Sequence, residues 1–292
     1  RYTGENREMS AVEEDCMDLE TLARLEPWNW PEEAGQLLLD ALRDDGLAPA
    51  GRMIAVELAG NFVVVNDELV AELISVVADA EASHELRARA VIALGPALES
   101  SDTDGFDEDY GGPISERCFL ETNETLRELF RVPEIPKEVR RRILEASVRA
   151  PQDWHREAIR EAYASTDEDW KLTAVFGMEF VPGFDDEILD ALGSENDEIE
   201  YQAVCAAGAR GLDAAWRHVS GILASNCDDK ALLLAAIEAA VAIRPEEAGM
   251  VLVDLTDDDD EDVVEAAHEG MAMAEALAGL DLDDGYDDES PF

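Results

Sequence analysis

The chain has 292 residues, 70 acidic and 22 basic, for a formal charge of −48 at neutral pH. Phosphate backbones need a basic footprint, so nucleic acid is excluded as a direct ligand, and an anionic membrane surface is disfavoured on the same ground. A basic protein, a cation or salty solvent suits this charge better, and only Lys137, Lys171 and Lys230 are lysines. The acidity therefore fits a solubility adaptation as well as a binding device.

Residues 1–12 are polar, and Glu13–Leu25 carries helical apolar spacing at Met17, Leu19, Leu22 and Leu25. Residues 1–30 are thus expected to be a polar segment and a capping helix. The motif PWNWP at 27–31 breaks that helix. It reads as a hydrophobic plug over the first repeat, with an exposed aromatic peptide-binding spot as the rival. Helices are predicted over 31–43, 48–59, 66–78 and 83–98, with NFVVVND at 61–67 as a connection. Residues 100–113, SSDTDGFDEDYGGP, read as an acidic loop insertion. DTDG has the start of a calcium loop, but the required Gly and Glu fall out of register. Ser115–Phe130 resumes the helices. Further helices are predicted over 137–149, 153–164, 167–180, 185–192, 197–209, 213–224, 229–243, 246–255 and 261–277. Thr166, three residues before Asp169, is the expected cap of one of them. Residues 281–292 are expected to be a disordered acidic tail.

These helices repeat. NDEIEYQAVCAAGARG at 196–211 has echoes before and after it. Aligned on Ala55, Ala90, Ile143, Ala174, Ala203, Ala236 and Ala267, the segments lie 35, 53, 31, 29, 33 and 31 residues apart. A near-constant spacing of helix pairs marks a solenoid. The expected architecture is an all-α solenoid of about seven antiparallel pairs over residues 31–280, each packing on its neighbours. Acids crowd the helix starts at 197–198, 228–229 and 260–261, where they favour the positive end of the helix dipole.

SHELRARAVIALG at 83–95, EVRRRILEA at 138–146 and DEDWKLTAVFG at 167–177 carry an acid, then a basic residue, then apolar residues, and the first and third end in Gly. In this they resemble HEAT repeats, specifically the short HEAT-like type of the phycobilisome-lyase class. The resemblance implies a HEAT-like superhelix, and with it a scaffold or adaptor; some members of that family are lyases or nucleic-acid enzymes. Three residues before the anchors stand Arg52, Arg87, Arg140 and Lys171. Two readings stay open for them. They form an internal ladder with acids of the neighbouring repeat, or a basic strip on the concave face able to receive an acidic peptide or anion.

No catalytic constellation, cofactor motif or metal-ligand spacing appears. His84, His155, His218 and His268 are isolated from one another, and no HExxH, GxSxG or phosphate-binding Gly-rich pattern occurs. The run TDDDDED at 256–262 reads as a link that tops the last helix. The four cysteines show no CxxC spacing and read as reduced, which points to a cytoplasmic setting. No signal peptide is visible, and since the chain opens on Arg1 the native start is expected upstream. The expected function is a non-catalytic protein-binding scaffold presenting an acidic concave surface to a basic protein or peptide. The alternatives are a DNA mimic that occupies a nucleic-acid-binding partner, and a bilin-lyase-type enzyme.

Overall fold

A computed structural model describes residues 18–44, 46–107, 111–225 and 227–283. Among them are fifteen α-helices and no strand. Helix α1 (Leu19–Leu22) and a 3-10 turn at Pro27–Asn29 come first, followed by α2 (Ala34–Arg43), α3 (Pro49–Ala59), α4 (Asp67–Ala78) and α5 (His84–Asp104). Next come α6 (Glu116–Arg131), α7 (Lys137–Ser147), α8 (His155–Tyr163), α9 (Glu168–Phe180), α10 (Asp185–Ala191) and α11 (Asp197–Ala209). The chain continues with α12 (Trp216–Leu223), α13 (Lys230–Ile243), α14 (Pro245–Leu252) and α15 (Glu261–Asp283).

From α2 onward the helices pair in sequence, making seven repeats. Each second helix also packs on the next second helix, so α3, α5, α7, α9, α11, α13 and α15 form one continuous layer. First helices make the other layer, with α2 on α4, α4 on α6 and α12 on α14. This is an all-α solenoid. The reason lies in the second helices. All seven anchors, Ala55, Ala90, Ile143, Ala174, Ala203, Ala236 and Ala267, are wholly buried. Small residues let backbones come close. A Cβ on Gly60 would meet the carbonyl oxygen of Ala93 at 2.4 Å, and one on Gly208 would meet Ala239 Cα at 2.8 Å. Larger residues fill the space between layers; burying a side chain such as Leu144 or Ile159 contributes about 2 kcal/mol.

Helix starts follow local chemistry. Asn66, Ser83, Ser115, Asn196 and Asp229 each accept a backbone N–H of the first turn. The cap of α9 is Asp167, which accepts from Asp169 N at 3.0 Å. Thr166 was expected there and stands exposed one residue outside, because the helix begins at Glu168.

Three further expectations are corrected. Helix α5 does not stop near Leu98 but runs through Pro96 to Asp104. Ala97, Leu98 and Ser101 lie on its buried side, so packing carries the helix across the proline and into the acidic stretch. Gly105, at φ 74°, ends it, and Gly112 N–H returns to the Gly105 carbonyl at 2.8 Å. At the N-terminal end only Trp30 acts as a plug. Its indole N–H donates to the Leu25 carbonyl and its ring packs on the core, whereas Trp28 is 75% exposed. At the other end α15 reaches Asp283, so 281–283 are helical. The rest of the expected tail, and residues 1–17 with the start of the helix expected from Glu13, lie outside the described residues. Among the described residues no helix is long and apolar enough to cross a membrane.

The buried core divides at α7. Val139, Ile143 and Ala146 belong to the N-terminal part, and Leu144 and Val148 to the C-terminal part. A polar seam runs between α7 and α9. The buried Arg141 donates to Thr173 Oγ1 at 3.0 Å and lies 3.4 Å from Asp169, and Thr173 donates to Glu145. Such a buried guanidinium is tolerated because its donors meet carboxylates and a hydroxyl.

Candidate functional site

Two residues after each anchor, the second helices turn toward solvent. That register holds Glu57, Ile92, Glu145, Phe176, Cys205, Glu238 and Glu269, all exposed or half-buried. Because neighbouring second helices pack side by side, the register becomes one line across the layer. Over α7–α13 this face hollows into a trough. One part, about 440 Å³, is lined by Glu179, Tyr201, Cys205 and Glu238; the other, about 420 Å³, by Leu172, Asp197, Glu198 and Asp229. Phe176, Tyr201 and Gln202 belong to both. A larger hollow of about 710 Å³ lies between α10 and α12 in the other layer.

Arginines on the trough side are already engaged. Arg89 pairs with Glu57 at 3.3 Å, and Arg142 with Glu138 and Glu145. Arg149 pairs with Glu99 and lays its guanidinium over Phe176 and Phe180, 5.3 and 5.4 Å from the ring centroids. Paired cations leave the face with surplus carboxylate. Glu179 is half-buried, and burial pushes its carboxyl above the usual range, Glu99 adding to the effect. It accepts the Gln202 amide at 3.2 Å. Burial likewise pushes the Cys205 thiol up.

The four residues singled out three before the anchors do not converge. Arg87 is buried, and its Nε donates to the Val77 carbonyl at 2.8 Å. Arg140 does the same to the Phe130 carbonyl at 3.0 Å, its guanidinium lying over Phe130 and Trp170. Each closes the C-terminus of the first helix of its own repeat, where orphan carbonyls and the negative dipole end favour a cation. Arg52 and Lys171 are half-buried. The Arg52 Nε has no hydrogen-bond partner, and Lys171 makes no ion pair among the described residues.

A ladder between repeats does exist, six residues before the anchors. Lys137 Nζ, at the start of α7, reaches Asp167 at 2.8 Å and Asp169 at 2.7 Å, at the start of α9. Lys230, at the start of α13, reaches Asp260 at 2.8 Å and also Asp262, at the start of α15. Between α9 and α11 the Asn196 amide donates to Glu168 at 2.7 Å. Lys137 holds Asp167 and Asp169 below the usual carboxylate range, and Lys230 does so for Asp260. The acidic run before α15 thus caps that helix and seats Lys230. Sequence reading missed this register, although two of the three lysines occupy it.

The histidines stay apart. His155 is buried, His218 pairs with Glu200 at 2.9 Å, and His268 bonds to the Val264 carbonyl of its own helix. Among the described residues no three His, Cys, Asp or Glu side chains gather as a metal-ligand set would. Cys118 is buried, and burial pushes its thiol up to about 11, far from a reactive thiolate.

No family model matches the sequence, and no curated protein matches it. Among solved structures, human deoxyhypusine hydroxylase in complex with glycerol is similar over 88% of this chain and 88% of that one, at 18% identity and a TM-score of 0.39. A likeness at that level carries no chemistry from that protein to this chain.

Proposed function

We propose that this chain is a HEAT-type scaffold whose second-helix face holds a basic segment of a partner protein. The observation that supports it is the trough over α7–α13. It joins an aromatic floor at Phe176 and Tyr201 to carboxylates left in surplus after Arg142 and Arg149 have been neutralised within the layer. An extended repeat face suits an extended partner. Charge complementarity of this kind sets partner choice and association rate. Acids also crowd the first turns of helices in the other layer, as at Asp185–Glu187 of α10 and Glu246–Glu247 of α14. Such a spread over the whole surface speaks against imitation of a phosphate track along one face.

The test is fluorescence anisotropy with three labelled peptides of equal length, one lysine-rich, one neutral and one acidic. The basic peptide should bind alone, with affinity falling steeply as sodium chloride rises. Equal binding of the neutral peptide, or binding insensitive to salt, would refute the reading.

A further inference from the structure

Lysine rungs close the α7–α9 and α13–α15 junctions, whereas the α11–α13 junction carries acids on both helices that pair with no cation among the described residues. Between α11 and α13, the positions that hold Lys137 with Asp167, or Lys230 with Asp260, are occupied by Asp197 and Asp229. Glu198 stands beside Asp197, and Ala231 replaces the second acid that α9 and α15 present at Asp169 and Asp262. Asp197, Glu198 and Asp229 make no ion pair among the described residues. All three line the hollow of about 420 Å³, together with the half-buried Leu172 and Phe176 and the 37%-exposed Tyr201.

Resting on the scaffold reading, we propose that this junction seats one lysine or arginine of the partner segment, with an apolar neighbour of that residue lying on Leu172, Phe176 and Tyr201. The chain itself shows the chemistry twice. At the α7–α9 and α13–α15 junctions, an ammonium group at the start of one second helix reaches the N-terminal acids of the next. Here the acids remain and the ammonium is missing. Each helix N-terminus favours negative charge, so like charges share this hollow and repel one another. A cation from outside removes that repulsion, as Lys137 and Lys230 do from within. The apolar floor next to the acids selects a cation carried on a hydrocarbon stem with a hydrophobic neighbour, since lysine and arginine lay their stems on such surfaces.

The experiment uses the full chain and a labelled Lys-Leu-Lys-Leu-Lys peptide. Asp197→Lys supplies the missing rung from inside. It should raise the melting temperature, because the new lysine reaches Asp229, and it should weaken peptide binding about tenfold. Glu238→Lys makes the same change of charge elsewhere on the trough and should weaken binding by no more than about threefold. Equal weakening by the two variants would overturn the proposal while leaving the scaffold reading intact. Absence of a melting-temperature gain in Asp197→Lys would overturn it too, since the gap would then not be the lysine-shaped one described. If the wild-type chain does not bind the peptide even at low salt, the scaffold reading itself falls.

Discussion

Gly208→Ala sets two effects against each other, and the structure decides the sign. Gly208 lies inside α11, where alanine is the better helix former by about 1 kcal/mol. On that ground alone the substitution would stabilise. The added Cβ would lie 2.8 Å from Ala239 Cα and 2.9 Å from Ala239 Cβ on α13. The nearer atom is backbone, so no rotamer change relieves the clash, and α11 and α13 must part by more than half an ångström. Overpacking of this kind costs about 1–3 kcal/mol and outweighs the propensity gain. The expected result is a net loss of up to about 2 kcal/mol, read as a lower urea midpoint by circular dichroism. Gly221 and Gly249 serve as controls. They lie within α12 and α14, and a Cβ there meets nothing within 4 Å. Their alanine variants should gain up to about 1 kcal/mol. The double change Gly208→Ala with Ala239→Gly should recover only part of the loss, because the backbone of residue 239 still stands in the way. A Gly208→Ala protein as stable as the wild type would show that the second helices do not pack at the described distance.

His155 gives a pH dependence of definite sign. It is fully buried, its Nδ1 accepts from Gln152 N at 2.8 Å, and its Nε2–H donates to Ser147 Oγ at 3.0 Å. Burial lowers its pKa to about 3. The unfolded chain takes up the proton near its ordinary value of about 6.5, so stability falls as pH drops from about 6.5 toward 3. Between pH 7 and 5 this group should account for about 2 kcal/mol of lost stability, which His155→Gln abolishes; parallel urea titrations of wild type and variant that show the same pH slope would refute it. The rungs should be weak: Lys137→Met or Lys230→Met should each lower the urea midpoint by less than Gly208→Ala does, and the loss should shrink in about 1 M salt, since these ammonium groups remain solvated. A loss larger than that of Gly208→Ala, unchanged by salt, would mean that the rungs hold the stack together.

Spacing of small apolar residues was enough to place the seven buried anchors, the pairing of helices and most helix boundaries. That information is local: a face with period 3.6 and a polar cap can be read along one segment. The run of arginines three residues before the anchors drew attention for the same reason, since Arg52, Arg87 and Arg140 recur at one register. Geometry across the fold assigned Arg87 and Arg140 to the ends of their own first helices. It also assigned the cross-repeat pairing to Lys137 and Lys230, whose partners lie some thirty residues further on. Likewise, nothing local could tell that α5 continues past Leu98 to Asp104, because the burial of Ser101 that sustains it comes from elsewhere in the chain. Sequence alone determined that this protein is a row of paired helices with an acidic exterior. Which acids already hold a cation, and which face one another with none, was decided only by the stacking, because attraction and repulsion between charges depend on separation across repeats rather than along the chain.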